Sequence, residues 1–401
     1  MISGSSPMSQ DFLAARLWSM KTIIAVVAAA ALTLGSGATA SAAEPPLDPA
    51  KLAAAIAGLP NDDASGALLQ VRGADGQWQG TSGVANLHTG QRVPIDGRFR
   101  IGSMTKSFTA TAALQLVAKG RLDLNRTVQS YVPDVLPTSY PPITIDQLLS
   151  YTSGLPGSDI DHKDPTWFLA HRFDTWTPQQ LFRVSFHNED GSVKPLHFTP
   201  GTMQNYGNID YLVLGAVIEK VTGRPYGEAI ENGVIRPLHL TATTVPGTNT
   251  GIHGPHAHGY ELRGDGSCVD ITDANPTYQW AAAEMISNAP DLDRFLVALM
   301  SGRLLPPAQT RLLFEIPDVD VLNPGEGEPT HAYLGHGLAS FPTGDLVFWG
   351  KTGDRPGYNN GMAATRDLTR RAVFSVNTLH MGGSTQPVTT RKIIAAVAGL
   401  A

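Results

Sequence analysis

Short runs of apolar and β-branched residues, separated by turns that contain Gly and Asp, mark the beginning of the chain. This composition predicts strands at residues 67–71, 77–84 and 98–101. A helical stretch at 48–59 precedes them. From residue 103 to residue 119 the apolar positions recur at helical spacing, and Gly120 follows as a C-terminal stop.

The middle of the chain has a mainly helical pattern, interrupted by turns rich in Pro and Gly. Its clearest helical segments are residues 146–151, 178–186, 208–222 and 290–302. Near residue 331 the pattern returns to short aromatic or β-branched runs, which predict strands at 331–340, 346–351, 361–365 and 371–377. A last helix is predicted at 389–400.

Strands at both ends of the chain around a helical middle imply that the two ends meet in one antiparallel sheet. We therefore expect an α/β (α+β) fold with a central antiparallel sheet flanked by helices and a mainly helical inserted subdomain. One discontinuous domain would span residues 48–400. Its sheet part would comprise about 60–102 and 330–400, and its helical part about 120–325.

The N-terminal segment has the pattern of a secretory signal peptide. Met20-Lys21 precedes an apolar run at 22–34, and A-x-A patterns follow, so residues 20–42 are predicted to be a signal peptide cleaved near 40–43. Residues 1–19 would then be a mis-called extension. The alternative is a buried N-terminal helix. We expect a secreted protein without a stable membrane anchor, because a spanning helix needs about 20 apolar residues.

Composition excludes some classes of partner. The 401 residues carry a formal net charge of −6 and no long run of like charge, so we expect no binding to nucleic acid. The one cysteine, Cys268, allows no internal disulfide and is interpreted as a small residue in a loop. We expect a monomer acting on a small molecule or peptide.

A candidate nucleophile lies where the strand pattern changes to the helical one. Ser103-Met104-Thr105-Lys106 is an S-x-x-K sequence, and residues three apart share one face of a helix, so the Lys106 ammonium can approach the Ser103 hydroxyl. A serine is a weak nucleophile until a neighbour removes its proton. The unpaired N–H groups at a helix start also favour an anion. Alone, S-x-x-K is a common chance match.

Two further motifs complete a candidate site. Tyr206-Gly207-Asn208 precedes a predicted helix, where a tyrosine beside lysines becomes a usable base and the Asn208 amide can orient a substrate carbonyl. Lys351-Thr352-Gly353 ends an apolar strand, along which a substrate backbone can add as an extra edge. A phosphate loop is rejected there, because five residues instead of four separate Gly344 from Gly350.

Together the three motifs resemble those of the serine β-lactamase and D-alanyl-D-alanine carboxypeptidase superfamily. The Tyr-x-Asn motif is similar to that of the class C β-lactamase and DD-peptidase branch, and the whole looks most like secreted actinobacterial DD-carboxypeptidases. Outside the motifs the resemblance covers residues 99–102, 120–124, 143–149, 152–155, 200–201, 214–223, 255–260 and 280–287.

The resemblance implies a role for each matching residue. Ser103 would be the acylated nucleophile, with Lys106 and Tyr206 sharing the general acid and base steps in an order that stays open. Asn208, Lys351, Thr352 and Gly353 would bind substrate. The oxyanion hole would consist of the backbone N–H groups of Ser103 and Asp354. No cofactor and no metal are implied.

Four positions depart from the resembled pattern. Asp354 places a carboxylate beside the expected oxyanion hole, where a small residue is common. Tyr151 replaces a histidine, and Ala283 replaces a glycine. Lys351 is typical of β-lactamases, whereas the resembled carboxypeptidases often have a histidine there. Asp354 therefore raises the question of how fast an acyl-enzyme is hydrolysed.

The sequence is consistent with three functions. The first is a serine D-alanyl-D-alanine carboxypeptidase that binds penicillin and acts on peptidoglycan stem peptides. The second is a class C-type β-lactamase, or an esterase or amidase on the same fold. The third is a non-hydrolytic penicillin-binding or peptidoglycan-binding protein.

Other candidate features receive ordinary structural interpretations. The histidines His253, His256 and His258 are interpreted as loop residues and not as metal ligands. Arg355 has two interpretations, a ligand for a substrate carboxylate or an exposed arginine in a turn, and we expect the second. Four aromatic residues are expected in the core or a cleft wall, namely Trp167, Phe168, Trp176 and Phe182.

Overall fold

The computed structural model describes residues 45–325, 328–381 and 386–400. The predicted signal peptide at 20–42 and the stretch 1–19 lie outside these residues, so both stay predictions. Among the helices that are described, none is long and apolar enough to cross a membrane.

The strands follow the chain as β1 (Ala64–Gly73), β2 (Gly76–Gly83), β3 (Arg98–Arg100), β4 (Met203–Gln204), β5 (Tyr260–Leu262), β6 (Cys268–Asp270), β7 (Ile286–Asn288), β8 (Asp320–Val321), β9 (Ala339–Thr343), β10 (Leu346–Arg355), β11 (Tyr358–Thr365) and β12 (Arg370–Thr378). The helices are α1 (Pro49–Ala55), α2 (Thr105–Ala118), α3 (Val128–Tyr131), α4 (Ile145–Leu149), α5 (Pro165–His171), α6 (Pro178–Phe186), α7 (Asn208–Thr222), α8 (Tyr226–Ile230), α9 (Trp280–Ala283), α10 (Ala289–Met300), α11 (Pro307–Leu312) and α12 (Val388–Val397).

The two ends of the chain meet in one six-stranded antiparallel sheet with the order β2-β1-β12-β11-β10-β9. The strand β1 pairs with β12 from Ala64 opposite Thr378 to Gly73 opposite Arg370. Such a pairing across most of the chain requires the helical middle to be an excursion from the sheet. The fold class expected from the sequence is therefore confirmed.

Two expected strand segments differ in the structure. We expected residues 98–101 in the sheet part, but β3 pairs with β7 in a separate two-stranded sheet. The segment 331–340 becomes a strand only from Ala339 onwards. Gly337, with φ +95°, precedes it, and this left-handed backbone ends the extended conformation before β9 begins.

Opposite faces of the sheet are covered by different helices. On one side α1 and α12 pack against β1 and β12, where Leu52, Leu69, Phe374 and Ile393 are buried together. On the other side α2 runs through the main core, and its Phe108 ring stacks on Phe295 of α10 with centroids 3.7 Å apart. Burial on all sides of α2 holds its first turn in a fixed position.

Candidate active site

The first turn of α2 places Ser103 at the junction of the sheet and the helical core. A short 3₁₀ turn, Gly102–Met104, connects β3 to α2, and Ser103 is buried within it. Gly102 has φ +55°, and a Cβ there would lie 2.6 Å from the backbone N of Asp354. Only glycine combines this backbone conformation with such a close approach of β10.

The Lys106 side chain is fully buried and points at Ser103. Its Nζ lies 3.1 Å from Ser103 Oγ, 2.6 Å from Asn208 Oδ1 and 3.1 Å from the carbonyl oxygen of Ala282. The last two atoms are acceptors only. They can accept hydrogen bonds from the two N–H groups of a neutral amine. The lone pair of that amine is then free to accept the Ser103 hydroxyl proton.

Burial and charge both favour that neutral amine. Burial lowers the pKa of Lys106 well below its usual value, and the nearby charge of Lys351 lowers it further, against an opposing effect of Asp210. Burial also raises the pKa of Asp210 to about 7, while Ser153 donates a hydrogen bond to its carboxylate. Lys106 is thereby prepared to accept a proton.

The second motif lies at the start of α7, with Gly207 as the N-cap. The Tyr206 ring lies between two lysines, 5.0 Å from Lys106 Nζ and 4.6 Å from Lys351 Nζ, and stacks on Tyr151 with centroids 5.0 Å apart. Its hydroxyl is buried and has no hydrogen-bond partner among the described residues. Burial raises the pKa of Tyr206, and the neighbouring Ser103 opposes that increase. The phenol therefore keeps its proton at neutral pH.

Tyr151, which departs from the resembled pattern, is a structural part of this site. It has φ +59°, and its buried ring also lies 5.2 Å from the Tyr211 ring. A left-handed backbone is costly for an aromatic residue, so its surroundings must hold it there. The other substituted position, Ala283, ends α9 beside the carbonyl that Lys106 contacts.

The third motif lies on β10 and borders Ser103 directly. A Cβ at Gly353 would be 1.9 Å from the Ile101 carbonyl oxygen and 3.0 Å from the backbone N of Ser103. The neighbouring strand β9 pairs with β10 only as far as Gly350 opposite Ala339. Residues 351–355 therefore have an open edge beside Ser103, where a substrate backbone can pair.

The backbone nitrogens of Ser103 and Asp354 both lie at this contact between β10 and the 3₁₀ turn. The oxyanion hole that the sequence suggests at these two N–H groups stays a prediction. The Asp354 carboxylate accepts a hydrogen bond from the Lys163 ammonium, an ion pair between positions 191 apart in the chain. Lys163 is buried. The negative charge beside the oxyanion hole therefore has a fixed counter-charge, which no sequence motif indicated.

Removing that counter-charge is expected to be more harmful than removing the carboxylate. In Lys163→Met the Asp354 carboxylate repels the developing oxyanion, and we expect kcat/KM to fall about 10- to 100-fold, or about 1.4–2.7 kcal/mol. The double variant Lys163→Met/Asp354→Asn should recover most of that loss. The measurement is a double-mutant cycle on ester hydrolysis. A large rate gain in Asp354→Gly alone would show instead that the paired carboxylate still inhibits.

Lys351 is predicted to be needed for activity at a cost in stability. Burial lowers its pKa from 10.5 to about 7, so between these pH values the unfolded chain binds a proton that the folded protein does not. The free energy of unfolding should rise with pH across this window. At pH 7, Lys351→Met should raise the free energy of unfolding by about 2–4 kcal/mol and lose most activity.

Denaturant unfolding from pH 7 to pH 10 measures this effect. In Lys351→Met the part of the pH slope that Lys351 causes should disappear. The exposed Lys119→Met is the matched control and should keep the wild-type slope. An unchanged slope in Lys351→Met would contradict the predicted pKa.

The structure brings the predicted site residues Ser103, Lys106, Tyr206, Asn208, Lys351, Thr352, Gly353 and Asp354 to one place. It adds groups that sequence reasoning missed, namely Lys163, Asp210, Gln279 and the carbonyl of Ala282. Of these, only Asp210 could have been suspected from the sequence, because it lies two residues after Asn208 on α7.

One expectation is wrong: Arg355 is not exposed in a turn but buried at the end of β10. The four aromatic residues have both of the expected positions. Phe168 and Phe182 are buried, and Trp167 and Trp176 line a small pocket. His258 pairs with Asp270, and His253 contacts Asn249. The described residues contain no group of three or more His, Cys, Asp or Glu that could hold a metal ion.

A family model described as Beta-lactamase matches residues 52–396. The chain belongs to the β-lactamase family. This β-lactamase-family protein is similar to a D-stereospecific amidohydrolase from Streptomyces sp., with 36% identity, a TM-score of 0.74 and coverage of 87% of this chain and 98% of that one. The fold and family inferred from the sequence are thereby confirmed.

Two further relatives have lower identity or shorter matches. A D-amino acid amidase from Ochrobactrum anthropi SV3, complexed with D-phenylalanine, shares 26% identity over 84% of this chain and 94% of its own, with a TM-score of 0.69. Esterase EstB from Burkholderia gladioli is 34% identical over 39% of this chain and 41% of its own. The matched region spans only about two fifths of the length of such curated relatives.

Proposed function

We propose that this β-lactamase-family protein is a serine amidohydrolase for D-amino acid derivatives, acting through an acyl-enzyme on Ser103. Peptides that end in D-Ala-D-Ala are the narrower substrate class that we propose first. The observation that carries the proposal is the buried contact of Lys106 Nζ with Ser103 Oγ, 3.1 Å apart, where the first turn of α2 meets β10.

The mechanism follows from the contacts of each group. Lys106 accepts the Ser103 proton as Oγ attacks the substrate carbonyl, and the N–H groups of Ser103 and Asp354 bind the oxyanion. Tyr206, which keeps its proton, donates it to the departing nitrogen and regains a proton from the Lys106 ammonium beside it. Asn208 fixes Lys106 and stands ready to orient the substrate, and the open edge of β10 holds the substrate backbone.

The preference for D-configured substrates rests on the solved relatives. The amidohydrolase from Streptomyces sp. is named as D-stereospecific, and the match includes nearly its whole length. The second solved relative is named a D-amino acid amidase. We further propose that the signal peptide is cleaved near residues 40–43 and that the protein then acts outside the cell. Peptidoglycan peptides occur there. That part rests on the sequence of residues 20–42 alone.

A side-by-side assay tests the proposal. We expect D-phenylalanine amide and a diacetyl-L-Lys-D-Ala-D-Ala peptide to be hydrolysed, with the D-amide preferred over its L-enantiomer by about 100-fold in kcat/KM. A penicillin should add covalently to Ser103, and nitrocefin should be turned over slowly. Equal rates on D- and L-amides would overturn the D-specific part.

An esterase is the second candidate, because the match to EstB includes part of this same domain. A p-nitrophenyl ester is the discriminating substrate. Rapid ester hydrolysis without any amide or peptide hydrolysis would favour the esterase. Rapid nitrocefin turnover, exceeding that of every amide, would favour a β-lactamase. Absence of any covalent adduct would leave a non-hydrolytic binding protein.

A further inference from the structure

Arg355 is a buried cation that no other described residue pairs with. It is 6% exposed at the end of β10, and within the described residues its guanidinium makes no hydrogen bond and no ion pair. Of the acids that act on it electrostatically, Asp354 is paired with Lys163, and Glu284 accepts a hydrogen bond from the Tyr226 hydroxyl through Oε1. The other carboxylate oxygen of Glu284, Oε2, has no partner among the described residues and forms no ion pair with Arg355. A buried charge is costly unless it is paired, so this guanidinium is prepared for an anion.

The guanidinium lines a small pocket with aromatic walls. Trp167, Trp176 and Tyr278 form these walls, and Gln279 lies beside them. The Gln279 Nε2 group is buried and has no acceptor among the described residues. Asp174 also lines the pocket, but its carboxylate is paired with His171. Arg355 and Gln279 therefore both present donors without a partner among the described residues, and an acceptor would satisfy them.

The pocket is connected to the catalytic groups in two ways. Side chains at alternate positions of a strand share one face, which places Arg355 on the same face of β10 as Lys351 and Gly353. Gly353 borders Ser103, and Lys351 reaches Tyr206. From the other side, Gln279 Oε1 accepts a hydrogen bond from Asn208, whose own amide oxygen contacts Lys106.

We propose that the pocket lined by Arg355 and Gln279, here called the Arg355 pocket, is a carboxylate-binding subsite that selects substrates carrying a free carboxylate next to an apolar group. Arginine binds a carboxylate through two parallel hydrogen bonds, Gln279 Nε2 supplies another donor, and the aromatic walls exclude water. This inference rests on the proposed acyl-enzyme on Ser103, because the subsite serves the substrate of that reaction.

The carboxylate can belong to the acyl part or to the leaving group, and two substrate pairs distinguish these. The acyl pair is mono-p-nitrophenyl glutarate and p-nitrophenyl pentanoate, which differ at the end of the acyl chain. The leaving-group pair is 3-carboxyphenyl acetate and phenyl acetate. For each pair the quantity measured is the ratio of kcat/KM for the carboxylate substrate to that for the neutral one.

In the wild type we expect this ratio to be about 10 to 100 in one of the two pairs. In Arg355→Met it should fall to about one or below, and Arg355→Lys should retain part of it, because lysine keeps the charge but not the bidentate geometry. The matched control Arg303→Met removes one exposed positive charge just after α10 and should keep the wild-type ratio. Benzoate should also raise the Tm of the wild type and not that of Arg355→Met.

Two results would overturn the proposal: a wild-type ratio of about one in both pairs, or an unchanged ratio in Arg355→Met. The second result includes an equal fall for both members of a pair, as a purely structural role predicts. Failure of the proposed function has a different signature. In that case neither member of any pair is hydrolysed and no acyl adduct forms on Ser103 in the wild type.

Discussion

Ser103→Ala is expected to form no covalent adduct with a penicillin and to lose hydrolysis by on the order of 10⁴-fold or more. The reason is that forming the acyl-enzyme intermediate divides a difficult reaction into two easier steps. Ser103 Oγ, which forms that intermediate, is the hydroxyl within reach of Lys106. Intact mass spectrometry after penicillin exposure measures the adduct, and p-nitrophenyl ester hydrolysis measures the rate.

The matched control for this variant is Ser107→Ala. Ser107 lies one turn further along α2, and its hydroxyl donates a hydrogen bond to the Gly337 carbonyl, 2.6 Å away. Losing that bond should cost about 1 kcal/mol in the free energy of unfolding while the penicillin adduct still forms. An adduct that persists in Ser103→Ala would place the nucleophile on another residue.

The sequence predicted the site best where its chemistry is local. Ser103 and Lys106 lie three residues apart on one helix, so helical geometry alone brings them together. Tyr206 and Asn208 likewise flank one helix start, and Lys351 ends one strand. The motifs also appear in the order that the resembled family requires. The sheet could be predicted because short apolar, aromatic or β-branched runs bounded by turns occur at both ends of the chain.

Contacts between distant segments were not predictable from the same patterns. Lys163 meets Asp354 across 191 positions, and Asn208 meets Gln279 across 71. The sequence around Lys163 or Gln279 gives no sign of these contacts, because an ordinary exposed lysine or glutamine would have the same neighbours in the chain. Arg355 was misjudged for this reason: a charged residue next to Pro and Gly suggests a turn, but α5 and its neighbours bury it.

The pKa values divide the site into groups with different tasks. Burial lowers the pKa of Lys106 and raises that of Tyr206, so it favours the neutral amine on one group and the protonated phenol on the other. One group able to accept a proton and one able to donate, both near the same hydroxyl, are what amide hydrolysis requires. The assignment that the motifs left open therefore becomes testable.

Lys106→Met and Tyr206→Phe should be separated by the leaving group of the substrate. Lys106→Met removes the base that activates Ser103, so we expect amide and p-nitrophenyl ester hydrolysis both to fall by about 10³-fold or more. Tyr206→Phe removes only the proton donor. An amine must be protonated to leave, whereas p-nitrophenolate leaves unaided. We therefore expect a loss of about 10²- to 10³-fold for amides and of less than about 10-fold for the ester.

The measurement is single-turnover acylation of each variant with D-phenylalanine amide and with p-nitrophenyl acetate, from pH 5 to pH 10. Tyr206→Phe keeps the ring that stacks on Tyr151, so we expect its fold to be unchanged. Its ester hydrolysis then serves as the internal control for its amide hydrolysis. If Tyr206 were the base for Ser103, the ester would lose as much as the amide in this variant. If Lys106 were needed only as a fixed charge, Lys106→Arg would retain acylation. The combination of an ester-active Tyr206→Phe and an inactive Lys106→Arg would identify Lys106 as the base.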